Sequence, residues 1–322
     1  MAVNYTGTAD ITGPPAQTGL TGLVQTAYDR YVEMALRSMP LVRSIADKRP
    51  VQQTQPGSSV VFQIHSDLAA ATTALTENVD PDAVALSNPS TVTVTLNEYG
   101  NAALLTRKLG LFSLSDVDPA AADIIAFNMA DSLDSLVMTE LRGGTNVIRS
   151  DAGAVSSQAL NLLAANDVFS TALVRYTVSK LRAGKAVPRQ GSLYHCYIHP
   201  EVSHDLRAES ATGGFQDLHK YDATENFWPG FIGTYEGAAF IESPRMYNAT
   251  DGASSARVFR TIVVGKQALA EAVAEEPHVV VGPVVDKLNR FRPIGWYGVL
   301  GWKRYREQSL YRIETSSSIN SA

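Results

Sequence analysis

The chain has 322 residues, 45% hydrophobic and 18% charged, with a formal net charge of −5. That length and apolar content can bury one large core or two ordinary ones, and the acidic balance argues against a dedicated nucleic-acid binder with a basic face. A single cysteine excludes an internal disulfide framework and fits a reducing compartment.

The opening MAVNYTGTADITGPPAQTG has no cationic start and no apolar run, so it does not read as a signal peptide. No stretch of eighteen apolar residues occurs, and no helical membrane span is expected. Residues 1–19 are rich in Gly, Thr and Pro and predict an arm that needs a neighbour to order it. From Thr21 the spacing of Leu23, Ala27, Tyr31, Met34 and Ala35 predicts a helix that ends before Pro40, within a first unit over 1–50.

Residues 51–110 form a second unit. Val60, Phe62 and Ile64 alternate with polar neighbours, and so do Val92, Val94 and Leu96, predicting two strands with one apolar face each. The stretch 67–89 between them carries two Asn/Asp-Pro breaks and no strong period. A connection of that length inside a compact domain is uncommon, so a long hairpin projecting from the body is expected.

A third unit, 111–185, contains the best-defined element. Asp118 as N-cap, Pro119 at the first helical position and Gly143-Gly144 as the stop bound a helix over 119–142. Such a helix is roughly 36 Å long at about 1.5 Å per residue. Ala122, Ile125, Met129, Leu133, Leu136 and Val137 make its apolar stripe, with Asp123, Asp131 and Asp134 expected on the solvated side. A second helix is predicted from Asn166 to Arg182, stopping at Gly184 with Lys180 and Arg182 at its negative dipole end.

From 186 onward short apolar runs alternate with Gly and Pro: LYHCYI, AAFIES, FRTIVVG, VVVGPVV and YGVLGWKRYREQSLYRIET. These predict strands, with short helices over 200–208 and 266–273. Helices before strands, without strand–helix repetition, give an α+β class.

The stretch LYHCYIHPEVSHDL gathers His195, Cys196, His199 and His204 from a chain with six histidines in all. Metal binding and a zinc-dependent enzyme are one reading. On a strand, however, His195 and His199 lie about 13 Å apart, at roughly 3.3 Å per residue, while zinc–nitrogen bonds are about 2 Å. Cys196 points to the opposite face, and two histidines make a weak site. The plainer reading is a strand that ends at Pro200, with no metal and no cofactor. Gly265-Lys266 fails as a phosphate loop because Arg260 and Gln267 occupy the required Gly and Ser/Thr positions. Glycines 295, 298 and 301 have the wrong spacing for a dinucleotide fingerprint. No catalytic constellation emerges.

Charge layout is more informative. Residues 51–106 hold Asp67, Glu77, Asp80, Asp82 and Glu98 with no Lys or Arg. Residues 287–312 hold Lys287, Arg290, Arg292, Lys303, Arg304, Arg306 and Arg312 against Glu307 alone. Two solvated faces of opposite sign would explain this, and so would contacts between identical copies.

The order of arm, long loop, long helix and sheet-rich remainder resembles the major capsid proteins of tailed bacteriophages, with the Hong Kong 97-type fold. The segments ALTENVDPDAVALSNPSTVTVTLNEYGNAALLTRKLG, 74–110, and DKLNRFRPIGWYGVLGWKRY carry the resemblance. It reads the first as an extended loop and returning strand with a turn at Glu98-Tyr99-Gly100. The resemblance implies an N-terminal arm, a spine helix in a peripheral domain, an axial domain over 186–280 and a return to the peripheral domain over 281–322. It also implies a virion protein that assembles in the host cytoplasm as pentamers and hexamers. Its implied partners are a separate scaffolding protein, a portal and a decoration protein, around double-stranded DNA that it encloses without specific binding. The expected intersubunit contacts set Glu77, Asp80 and Asp82 of the loop against Arg290, Arg292, Lys303 or Arg304. The fold's type member cross-links through a loop lysine, which residues 51–107 lack. The short arm before the first helix leaves no room for a built-in scaffolding segment. A nanocompartment shell protein shares this fold and is the nearer rival; a metal enzyme using His195, His199 and His204 is the more distant one.

Overall fold

The computed structural model describes residues 40–50, 58–112, 117–209 and 231–319, apart from positions 66, 76, 79, 81, 82, 87, 285 and 289. The arm and first helix expected over 1–39, and Asp82, lie outside the described residues. In chain order the elements start with a 3-10 turn, Val42–Ile45, and β1, Asp47–Pro50. The strands β2 (Ser59–Ile64), β3 (Ser90–Thr95) and β4 (Asn97–Thr106) follow, then α1 (Arg107–Phe112) and α2 (Val117–Leu141). After β5 (Val147–Asp151) and β6 (Ala154–Ser156) come α3 (Thr171–Ala183), β7 (Tyr194–Ile198) and α4 (Pro200–Ala208). The remainder is all strand: β8 (Phe231–Tyr235), β9 (Ala238–Glu242), β10 (Asn248–Ala249), β11 (Val258–Val264), β12 (Leu269–Val281), β13 (Phe291–Arg304) and β14 (Leu310–Thr315).

Three sheets result. One has the order β1-β12-β13-β4, the second runs β6-β5-β14-β11-β7-β9-β8 with β10 beside β11, and the third is the β2–β3 hairpin. In the large sheet, alternation sends side chains into two cores. Cys196, Ile198, Phe259 and Val263 pack with Leu173, Val178 and Leu181 of α3 and Val202 and Leu206 of α4. Tyr197, Ile262 and Val264 face the other way, toward Leu133, Val137 and Leu141 of α2. All seven residues of β11 are buried, as a strand covered on both faces requires.

Several expectations need correction. The helix predicted from Asn166 starts at Thr171, because the buried Asp167 carboxylate holds a turn there, accepting bonds from Ala152 N at 2.7 Å and Ala164 N at 2.8 Å. The helix predicted over 266–273 is strand: β12 begins at Leu269, with Ala270 and Ala272 paired to Lys303 and Gly301. Sheet burial overrides the helix preference of its alanines and glutamates. Glu98-Tyr99-Gly100 is no turn but the start of β4, paired with Val299, Gly298 and Tyr297. Sheet pairing, for its part, runs across the expected bounds at 186 and 281. The large sheet draws β5 and β6 from before 186 and β14 from after 281, while β12 and β13 both belong to the four-stranded sheet.

Candidate assembly surfaces

The loop is built from its stem outward. Val60 pairs with Val94 and Phe62 with Val92, so one face of the β2–β3 hairpin is apolar. That face lies on β13: Val94 is fully buried, and the Phe62 and Tyr305 rings meet edge-on at 6.1 Å. A Cβ on Gly301 would stand 2.1 Å from Thr95 O, so only glycine lets the stem lie flat on the strand. Beyond the stem, every described residue from 67 to 86 is exposed, including Leu68 at 55%, Leu75 at 78%, Val84 at 75% and Leu86 at 77%. Glu77 and Asp80 are exposed between the last three. Four large apolar side chains on one projection of a single subunit have no core of their own to enter.

The expected basic partners divide into two groups. Arg290 and Arg292 are exposed at the start of β13, and Arg290 donates to Asp286 at 2.6 Å, which holds that carboxyl below the usual range. Lys303 and Arg304 sit at the other end, roughly 36 Å away at about 3.3 Å per residue, so one short acidic segment cannot meet both groups. Lys303 is exposed, but Arg304 is half-buried and engaged within the chain. It donates to Glu140 O at 2.8 Å, closing the C-terminus of α2, and to Glu307 at 3.1 Å. A Cβ on Gly143 would stand 2.6 Å from the guanidinium, so a larger residue there would displace the end of the Arg304 side chain.

The subunit thus has an exposed loop, a long helix buried along one face and a large sheet with a core on each side. The family model for phage capsid proteins matches residues 29–319. The chain belongs to the phage capsid protein family. Comparison with functionally curated proteins gives no match. Solved structures share the fold at low identity. The capsid of cyanophage Pam1 has a TM-score of 0.72 and 15% identity, covering 92% of this chain and 98% of that one. The capsid of Ralstonia phage GP4 has 0.72 and 16%, with 92% and 96% covered. The capsid of cyanophage P-SCSP1u has 0.70 and 13%, with 99% of each covered. The protein is accordingly a structural, Hong Kong 97-type major capsid protein of a phage head.

In this capsid subunit the histidine stretch has structural work. His195 and Cys196 point to opposite faces of β7; burial lowers His195 to about 4 and pushes the Cys196 thiol up. His199 caps α4, its Nδ1 accepting from Glu201 N at 3.2 Å, and its ring lies 4.8 Å from that of Phe259. His204 is exposed on α4. Among the described residues no group of three or more His, Cys, Asp or Glu side chains converges as metal ligands would.

The acids of α2 correct another expectation. Asp134 is buried, not solvated: it accepts from Arg43 N at 2.9 Å and lies 3.4 Å from Arg245 Nε, with burial raising its pKa. Asp131 pairs with the same Arg245. Sequence reasoning missed Glu314 altogether. This fully buried carboxylate on β14 meets Arg149 at 2.8 Å, Arg260 at 3.3 Å and Arg312 at 2.8 Å, tying β5, β11 and β14 together. Cross-strand register alone places Arg149 and Arg260 on either side of it, and no single-strand pattern reveals register.

Proposed function

We propose that the subunit assembles as pentamers and hexamers of an icosahedral shell around double-stranded DNA, in the host cytoplasm, with the extended loop of each copy docked on a neighbour. One observation carries the docking: Leu68, Leu75, Val84 and Leu86 are exposed on a projection that the subunit itself leaves bare. Burying them against another copy supplies a favourable term of about 25 cal/mol per Å² of apolar area removed from water. The acids Glu77, Asp80 and Asp82 set the register of that docking against Arg290, Arg292, Lys303 or Arg304, with the first two the better placed because Arg304 caps α2. The peripheral body over 111–185 and the axial body over 186–280 remain as working units, joined by strands they share.

The subunit's partners in assembly are a separate scaffolding protein and a portal protein. The net charge of −5 gives the shell as a whole no electrostatic attraction for the packed DNA. The role is mechanical, not catalytic. The test is co-expression with the adjacent head genes, followed by electron microscopy. Wild-type protein is expected to give closed shells, and the Asp80→Lys, Asp82→Lys double variant only open or unassembled material. Normal shells from the double variant would remove the charge register.

A further inference from the structure

Residues 168–200 contain no Asp or Glu and hold five cations, Arg175, Lys180, Arg182, Lys185 and Arg189, in a chain whose net charge is −5. The fold puts four of them on one surface. Helix α3 buries Leu173, Val174, Thr177, Val178 and Leu181 against the face of the large sheet turned away from α2. The helical period then turns Arg175, Tyr176, Ser179, Lys180, Arg182 and Ala183 outward, all exposed, and Lys185 follows, exposed, in the turn after the helix. Arg189 is engaged within the chain instead, donating to Ser44 O at 2.6 Å.

The acids that meet α3 stand at its first half. Glu209 accepts from Thr171 N at 2.8 Å, and Glu236 pairs with Arg175 at 3.0 Å. Among the described residues, the ion pairs of this stretch are Arg175–Glu236 and Arg189–Asp47, which leaves Lys180, Arg182 and Lys185 without a carboxylate. Two of these are nonetheless held in place. Lys180 Nζ lies 5.2 Å from the centre of the Tyr176 ring, and Arg182 rests on the β8–β9 turn, where a Cβ on Gly237 would overlap its guanidinium. The helix dipole favours cations in the last turn, and that accounts for Lys180 and Arg182 as stabilising residues. It does not account for the apolar groups among them, Tyr176 at 37% exposure and Val187 at 55%. From Arg175 to Lys185 this mixed surface runs roughly 15 Å, at about 1.5 Å per residue.

We propose that the solvent face of α3 is the docking surface for an acidic, amphipathic helix of a second protein. Charge complementarity selects the occupant: carboxylates along the edge of such a helix meet Lys180, Arg182 and Lys185, and its apolar stripe covers Tyr176, Ala183 and Val187. Double-stranded DNA fits this surface less well. Proteins held on a duplex by charge make about 6–10 phosphate contacts. Three unpaired cations fall short of that, and a phosphate backbone leaves Tyr176 and Val187 uncovered. The proposal goes beyond the shell-building role and does not depend on it, because the surface is complete in a single subunit.

The experiment titrates the full-length, unassembled subunit, at an ionic strength of about 0.15 M, into four fluorescent probes. These are a helical peptide with a leucine stripe flanked by glutamates, its scrambled version, a peptide of residues 67–86, and a short DNA duplex. The helical peptide is expected to bind at least tenfold tighter than the other three. Lys180→Glu with Lys185→Glu should weaken it at least tenfold while leaving the circular dichroism spectrum unchanged. The same peptide with lysines in place of its glutamates should then bind the reversed subunit. Val187→Ser, which alters no charge, should weaken the original peptide severalfold. Equal binding of the helical and scrambled peptides, or full binding by the folded charge-reversed variant, would overturn the proposal. Tighter binding of the duplex would assign the face to nucleic acid, and tighter binding of the 67–86 peptide would assign it to a second copy; either would overturn it as well.

Discussion

Among the described residues the buried ionisable groups are few, and Glu314 and His195 make the sharpest predictions. Glu314 is the carboxylate shared by three guanidiniums, so Glu314→Ala leaves Arg149 and Arg312 without it and Arg260 with Asp251 alone. Removing one partner of such a cluster costs about 3–5 kcal/mol; urea unfolding of the unassembled subunit should show it, and a loss under about 1 kcal/mol would contradict the account. His195 adds a pH dependence. Burial and the nearby Arg189 charge lower its folded pKa to about 4 from the ordinary 6.5, so the unfolded chain binds the extra proton first. Stability should fall as pH drops from about 6.5 to about 4, by on the order of 2 kcal/mol after discounting partial exposure, and level off below. His195→Gln should flatten that part of the pH profile; an unchanged profile would remove His195 as its source. Histidine clustering was visible in the sequence, but the use of each histidine was not. His195 depends on burial, and His199 on where α4 begins.

At the scale of elements, the legible parts were those with local causes. The alternation of Val60, Phe62 and Ile64 against Val92 and Val94 gave the hairpin, and the helix expected over 119–142 runs Val117–Leu141. Elements decided by distant partners were misread. Leu269–Val273 has helix-forming residues but lies between β1 and β13. Glycines 100 and 295 were weighed only as phosphate or turn residues, when close strand packing requires them. Gly301 tests the stem directly. Gly301→Ala places a methyl against Thr95 O, and overpacking of this kind costs about 1–3 kcal/mol. The hairpin should lift from β13, with faster chymotryptic cleavage at Phe62. Cleavage at the wild-type rate would show that the stem is held elsewhere.

The whole molecule reads as a plate with one exposed projection. The large sheet has a core on each side, α2 packs on the four-stranded sheet, and the exposed apolar side chains include four on the loop, Leu68, Leu75, Val84 and Leu86. Association then rests on non-covalent burial. Residues 51–107 contain no lysine, so boiled wild-type shells should run as a single band near 34.7 kDa on denaturing gels. A ladder of covalent oligomers would refute this. The overall order of parts was legible because each part has its own local signature. Long-range pairing was not legible: β5, β6 and β14 join the strands of 186–280 in one sheet, and no local pattern announces that.

The most direct test is cryo-electron microscopy of the particles formed when the chain is expressed with its adjacent head genes. The account predicts closed shells in which residues 67–86 of one copy lie on the next. Small discrete oligomers, or shells whose loops touch no neighbour, would contradict it.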